Sequence, residues 1–196
     1  MRIFLAGASG VIGQRLIPRL VADGHAVAGL TRTPAKADRV RELGAEPVVC
    51  DVFELEALTR TVVTFGPDAV VDELTDLPDD PERVAELGAA NSRIRREGTR
   101  NLLAAARAAN VLRFISQSVA WSLPGDAGAA AEEHERIVLQ QGGVVLRYGR
   151  FYGPGTYFET AKPEPPRIHV DQAAARTVRA LDAPSGVFVI ADGEPG

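Results

Sequence analysis

The chain has 196 residues, of which 45% are hydrophobic and 24% are charged, a balance typical of a folded domain and not of a disordered segment. Its net charge of −4 and pI near 5.5 argue against nucleic-acid binding, and its single cysteine, Cys50, excludes an intramolecular disulfide. Without a signal-peptide core after Met1 or a run of roughly 20 apolar residues, we expect a cytoplasmic protein that does not enter membranes.

Apolar runs that end at glycines or polar turns alternate with segments of helical periodicity. The runs predict strands at 2–6, 26–30, 46–50, 69–72, 112–116, 144–147 and 187–191. The periodic segments predict helices at 11–22, 34–44, 55–65, about 129–140 and 171–181, and one long helix that begins at 79–82 and ends at 109. This alternation predicts an α/β fold, a doubly wound parallel sheet of the Rossmann type. We expect residues 1–196 to form one domain with a minimal substrate-binding region at about 150–196.

Three glycines, Gly7, Gly10 and Gly13, separate the first strand from the first helix. A turn of this kind lets backbone N–H groups approach a pyrophosphate at the start of the helix, where the helix dipole favours negative charge. The spacing Gly-x-x-Gly-x-x-Gly in this position therefore predicts a dinucleotide site. Its predicted residues are Gly7, Ser9, Gly10, Val11, Ile12 and Gly13.

The end of the second strand indicates which dinucleotide binds. An NAD enzyme usually has an acidic residue here to bind the ribose 2′-hydroxyl, but this chain has Arg32, followed one turn later by Lys36. A cation at this point suits the 2′-phosphate of NADP. We therefore predict NADP rather than NAD; the alternative is that Arg32 is a solvated loop residue.

Asp51 follows the third strand. Its carboxylate can accept a hydrogen bond from the adenine amine, or it can cap the next helix. The sequence leaves both roles open.

Further motifs occur along the chain in a specific order. They are Asp51-Val52, Asp68-Ala-Val-Val-Asp72 with Leu74, Asn91 followed by Gly98-Thr99-Arg100-Asn101-Leu102-Leu103, Leu146-Arg147, Tyr152-Gly153-Pro154-Gly155 and His169-Val170-Asp171. Together with the glycine turn they resemble the extended and atypical short-chain dehydrogenases/reductases, the group of NAD-dependent sugar-nucleotide epimerases and dehydratases. The resemblance implies that Val52 lies at the adenine, Leu74 beneath the cofactor and Arg147 on its nicotinamide side.

The catalytic pattern of that family is missing. Its members use Tyr-x-x-x-Lys on the helix after the fifth strand, where the lysine lowers the pKa of the tyrosine one turn away. This chain has only Lys36 and Lys162, and no tyrosine before Tyr148. The family's catalytic serine aligns near Ser118 or on Val119, and Ser118 can equally be a turn residue at the strand end.

Other residues can supply the missing proton-transfer group. His134, flanked by Glu133 and Glu135, occupies the expected tyrosine helix, although these charged neighbours predict a solvated face. Tyr148 and Tyr152 lie near the expected nicotinamide loop and can donate a proton, or else pack around that loop.

The long helix carries two sets of residues that suggest contacts with solvent or a partner. Its basic cluster, Arg93, Arg95, Arg96 and Arg100, is interspersed with an acid and predicts a solvated surface. Its apolar residues Ile94, Leu102 and Leu103 can pair two copies into a homodimer, or pack against the sheet.

Three functions are compatible with an intact glycine turn and a missing catalytic pair. The first is an NADP-dependent oxidoreductase that acts on a small organic molecule through Ser118 and an unusual acid. The second is a non-redox enzyme on the same fold, a cyclase, isomerase or dehydratase. The third is a non-catalytic module that senses the dinucleotide. Arg167 lies only 12 positions after Gly155, so much of the family's substrate region is expected to be absent.

Overall fold

The computed structural model describes residues 1–78, 80, 83–84, 86 and 88–193. Its strands are β1 (Arg2–Ala6), β2 (Ala26–Thr31), β3 (Glu46–Val49), β4 (Ala69–Asp72), β5 (Arg113–Val119), β6 (Val144–Tyr148), β7 (Arg150–Tyr152), β8 (Arg167–His169) and β9 (Gly186–Ile190). Its helices are α1 (Gly13–Ala22), α2 (Ala37–Glu42), α3 (Leu55–Phe65), α4 (Gly88–Arg93), α5 (Thr99–Ala108), α6 (Gly125–Gln140) and α7 (Val170–Arg179).

Seven strands form one sheet in the order β3-β2-β1-β4-β5-β6-β9, and each neighbouring pair is parallel. The order reverses between β1 and β4, so the carboxyl ends of these two strands form the crevice in which open α/β sheets bind ligands. The predicted doubly wound Rossmann-type fold is confirmed. A second sheet, formed by the short parallel strands β7 and β8, was not predicted.

Side chains alternate between two buried layers, as the pleat of a strand requires. In β1, Ile3 and Leu5 belong to one core cluster and Phe4 to the other. The first layer packs against α1 and α7, and the second against α3 and α5. Burial on both faces explains why the strands are continuous apolar runs.

The long helix is not uniform. It runs from α4 to α5 through a π-helical turn at Ile94–Gly98, and its predicted start at residues 79–82 falls mostly outside the described residues. Leu102 and Leu103 are buried against the sheet. Of the two alternatives for these apolar residues, dimer contact or packing against the sheet, the structure shows packing against the sheet.

Several boundaries differ from the prediction by one to four residues, and two of the larger differences are at the end of β5 and the start of α6. β5 continues to Val119 because it pairs with β6 as far as Tyr148, beyond its pairing with β4. Helix α6 begins at Gly125, directly after Pro124 and four residues before the predicted start. Within the described residues, no helix is long and apolar enough to span a membrane.

Candidate active site

The glycine turn between β1 and α1 leaves no space for side chains at two of its positions. Gly7 has φ +82°, and a Cβ there would lie 2.5 Å from the carbonyl oxygen of Glu73. A Cβ at Gly13 would lie 2.2 Å from the carbonyl oxygen of Gly7. The two glycines thus let the chain turn tightly against β4 and enter α1.

The same turn exposes backbone donors. The N–H of Gly10 bonds to the carbonyl oxygen of Gly7 at 3.0 Å, but the N–H groups of Val11 and Ile12 have no hydrogen-bond partner in the described part of the chain. The Ser9 hydroxyl lies 3.3 Å from that of Thr31 and links the turn to β2. Unpaired N–H groups at the start of a ten-residue helix are suited to bind an anion.

Arg15 holds this turn in place. Its guanidinium donates to the carbonyl oxygen of Val11 at 2.8 Å, to Asp171 at 3.1 Å, and to the carbonyl oxygen of Pro154. One side chain therefore joins the glycine turn, the loop after β7 and the first turn of α7.

Arg32 lies at the end of β2, as predicted, and is paired with an acid from the other side of the crevice. Its Nη2 lies 2.7 Å from Oδ1 of Asp76, and this hydrogen bond raises the pKa of Arg32. The backbone N–H of Asp76 donates in turn to Oδ1 of Asn91 at 3.1 Å. An anion that binds Arg32 must compete with Asp76.

The residues assigned to adenine and to the base of the cofactor site occupy tight turns. Asp51 accepts a hydrogen bond from the N–H of Phe53 at 3.0 Å, and Val52 is buried. The N–H of Leu74 donates to Asp72 at 3.1 Å, and its carbonyl oxygen accepts from Gln117 at 2.9 Å. Leu74 thus lies between the carboxyl ends of β4 and β5.

The structure brings Ser118 and Arg147 together through Glu135 of α6. The Ser118 hydroxyl donates to the Glu135 carboxylate at 2.6 Å, and Arg147 donates two hydrogen bonds to it at 2.9 and 2.5 Å. Burial opposes ionisation of Glu135, but the bonds from Arg147 and Ser118 outweigh it and lower the pKa of Glu135. Glu135 is therefore an ionised carboxylate that orients the serine hydroxyl toward α6.

His134 is buried, so the predicted solvated face was wrong. Its side chain is 2% exposed, and its ring nitrogens lie 2.9 Å from the hydroxyl of Thr99 and 3.0 Å from that of Ser116. Both hydroxyls also contact Oδ2 of Asp72, at 3.2 and 3.0 Å. Burial lowers the pKa of His134. The imidazole therefore belongs to a closed hydrogen-bonded group that also contains Thr99, Asp72 and Ser116.

The two candidate tyrosines have different surroundings. Tyr148 is buried; its hydroxyl donates to Glu73 at 2.8 Å and lies 2.6 Å from that of Thr177. Burial raises the pKa of Tyr148 and also raises that of Glu73, to about 8. Tyr152 is partly exposed and donates to Asp192 at 3.1 Å.

Two buried charged residues escaped the sequence analysis. Glu73 directly follows β4, and an acid immediately after a buried strand was a usable signal. Arg95 is 5% exposed, so the prediction of a fully solvated arginine cluster was wrong at this position. No signal in the sequence distinguished Arg95 from Arg93 and Arg96. Among the described residues, no group of His, Cys, Asp and Glu side chains can hold a metal ion.

Comparisons with known proteins agree with this geometry. Residues 7–141 match a family described as NAD(P)H-binding. A 3-diazoavenalumate denitrifying reductase from a Streptomyces species is 33% identical over 241 aligned positions, which cover 100% of this chain and 77% of that protein. A 4-hydroxy-2-methyl-3-oxo-4-farnesyl-3,4-dihydroquinoline-1-oxide ketoreductase from Stigmatella aurantiaca is 35% identical over 118 residues, covering 60% of this chain and 33% of that protein.

Solved structures show the same fold. The UDP-glucose 4-epimerase of Thermus thermophilus, in complex with NAD, has a TM-score of 0.81 at 20% identity, covering 99% of this chain and 78% of that one. The UDP-glucose 4-epimerase of Thermotoga maritima, with UDP-glucose, has a TM-score of 0.80 at 18% identity, covering 99% and 78%. The chain therefore belongs to the NAD(P)H-binding family, as an atypical short-chain dehydrogenase/reductase with the fold of the NAD-dependent epimerases and dehydratases.

Proposed function

We propose that this protein is an NADP-dependent reductase of a small organic molecule. The observation that carries the proposal is the glycine turn, in which the N–H groups of Val11 and Ile12 have no partner among the described residues. This turn adjoins β2, which Arg32 directly follows. The Streptomyces and Stigmatella relatives, both named as reductases, support a redox function.

The residues of the crevice fit the parts of NADP. Val11 and Ile12 would bind the pyrophosphate and Arg32 the 2′-phosphate, in exchange for its pair with Asp76. Asp51 would accept from the adenine amine. When bound, the nicotinamide supplies a hydride. The protein must bind the nucleotide and provide the acid–base groups.

Acid–base chemistry in this proposal rests on Ser118 and Glu135. The serine hydroxyl donates to an ionised carboxylate at 2.6 Å, so Ser118, and not Glu135, carries the proton that would be given to the substrate. Arg147 fixes that carboxylate by two hydrogen bonds and thereby orients the serine. Tyr152 is the second candidate for the acid, because its phenol is nearer solvent than that of Tyr148.

The substrate-binding region is proposed to be short and part of the same domain, at about 150–196. β7, which ends at Tyr152, pairs with β8, and the loop that joins the two strands begins at Gly153. The alignment with the Streptomyces relative spans more positions than this chain has residues, which favours the loss of internal segments.

Calorimetric titration with NADPH, NADP, NADH and NAD tests the proposal. We expect micromolar binding that prefers the phosphorylated pair, and in Arg32→Ala a loss of at least tenfold for NADPH with little change for NADH. Arg60→Ala, which removes an exposed arginine of α3, is the matched control. Failure of all four nucleotides to bind would refute the reductase.

One observation favours a second candidate, a non-redox cyclase, isomerase or dehydratase on the same fold. Tyr-x-x-x-Lys is absent, and the buried face of α6 has His134 and Glu135 instead. Substrate turnover without any change in NADPH absorbance would support this function over reduction.

A further inference from the structure

Arg95 is a buried cation with two guanidinium nitrogens that have no hydrogen-bond partner among the described residues. Its side chain is 5% exposed, and its Nε and Nη1 atoms are buried with no partner in the described part of the chain. Its neighbours on the long helix are all paired with carboxylates: Arg93 with Glu97, Arg96 with Asp126 and Glu133, and Arg100 with Glu133. Arg95 is thus the exception among the four arginines of this cluster.

The carboxylates nearest to Arg95 already have other donors. Asp72 accepts from Thr99, from Ser116 and from the N–H of Leu74. Glu135 accepts from Ser118 and from both ends of the Arg147 fork. Both acids favour the charged form of Arg95 electrostatically, but neither bonds to it. Its Nε and Nη1 donors can therefore bond to another acceptor.

The π-helical turn explains how an arginine comes to lie inside. Widening the helix at Ile94–Gly98 changes the direction of the side chains in this turn, and such turns are frequent at functional sites. The carbonyl oxygen of Arg95 lies 3.4 Å from Nδ1 of His134, which attaches the turn to α6. Burial lowers the pKa of Arg95, yet an arginine remains a cation in a protein.

A buried, unpaired charge is costly, since desolvation of the ion is not offset by hydrogen bonds. Replacing such a group by an apolar side chain of similar length commonly stabilises a protein. An arginine in this state is therefore more readily explained by a ligand than by a contribution to the fold.

The position of Arg95 indicates what kind of ligand. Its carbonyl oxygen contacts His134 of α6, and Glu135, the next residue of α6, orients Ser118. Arg95 is therefore attached to the helix that carries the proposed acid–base centre. A guanidinium fork matches a carboxylate in two parallel hydrogen bonds. Asp72 and Glu135 already favour the charged form of Arg95 and would repel an added anion, so a monoanion is favoured over a phosphate dianion, which they would repel more strongly.

We propose that Arg95 binds the carboxylate of the substrate, and that the substrate is a small organic acid. That this ligand is the substrate rests on the proposed function. Binding of a carboxylate by Arg95 does not depend on a bound nucleotide.

Benzoate and trans-cinnamate serve as probes, with benzamide and cinnamamide as their neutral counterparts. Titration calorimetry of the full chain, with and without saturating NADP, should show both acids binding at least tenfold more tightly than their amides. In Arg95→Met that preference should disappear, while Arg100→Met, which removes an exposed arginine of the same helix, should keep it. Arg95→Met without ligand should also unfold at a higher temperature than the wild type.

Arg95→Lys keeps the charge and loses the fork, so a severalfold weaker affinity for benzoate is expected even if Arg95→Met does not fold. Equal binding of acids and amides by the wild type, or unchanged acid binding in the Arg95 variants, would overturn the proposal. So would a lower unfolding temperature of Arg95→Met, which would assign Arg95 to the fold. Acid binding that depends on Arg95, in a protein that binds none of the four nucleotides, would support this site and refute the reductase.

Discussion

Replacing Glu73 by glutamine should stabilise the protein at neutral and alkaline pH. Glu73 is 5% exposed and accepts a hydrogen bond from Tyr148 at 2.8 Å. Burial disfavours its charge more strongly than this bond favours it, and the neighbouring Asp72 adds repulsion, so the pKa of Glu73 rises from 4.5 to about 8. The folded protein therefore holds a proton on Glu73 at neutral pH that the unfolded chain has released.

The sign and size follow from linkage. Between about pH 4.5 and about pH 8 the folded state binds one more proton than the unfolded state, so the free energy of unfolding falls by about 1.4 kcal/mol for each unit that the pH rises. Over the whole interval the loss is about 5 kcal/mol, comparable to the entire stability of many domains. Glutamine is neutral at every pH and keeps an oxygen that can accept from Tyr148, so the variant should not show this loss.

Urea unfolding between about pH 5 and about pH 9 measures the effect. Glu73→Gln and wild type should differ little at the acidic end, diverge as the pH rises to about 8, and keep a constant difference above that. Glu132→Gln, at an exposed position of α6, is the matched control and should follow the wild type. Parallel pH profiles for wild type and Glu73→Gln would refute the argument and mean that Glu73 is already ionised in the folded protein.

Three further outcomes are expected. Gly7→Ala should lower the free energy of unfolding by about 1–3 kcal/mol because of its positive φ and abolish nucleotide binding; calorimetry showing wild-type affinity would contradict the turn assignment. Asp76→Asn should tighten NADPH binding severalfold, because Arg32 loses its competing carboxylate; weaker binding would instead make Asp76 part of the nucleotide site. Leu102→Ala, at a fully buried position, should cost about 2–5 kcal/mol of stability without changing nucleotide preference, and a changed preference in titration would contradict this separation.

The fold was predictable because its signals are local. The apolar strands, the glycine turn and the helical periods each depend on a few neighbouring residues, and the alternation of strand and helix leaves few topologies. β7 and β8 escaped because three-residue strands carry too little periodicity to be distinguished from a loop.

The burial of His134 was predictable in principle. It shares one face of α6 with Ala130, Ala131 and Val138 at helical spacing, and all four are buried. The charged residues next to His134 do not decide its burial, because adjacent residues on a helix point in different directions.

Arg95 could not have been identified in this way. Its burial depends on a π-helical turn, and the regular period of 3.6 residues does not describe side-chain directions there. The contacts Ser118–Glu135 and Tyr148–Glu73 join residues 17 and 75 positions apart, and they depend on how whole elements pack.

A crystal structure of the complex with NADP tests the central claim most directly. The account predicts the pyrophosphate on the N–H groups of Val11 and Ile12, and the 2′-phosphate on Arg32 with Asp76 displaced from it. A nucleotide bound elsewhere, or a 2′-phosphate in solvent with Arg32 still paired to Asp76, would contradict it.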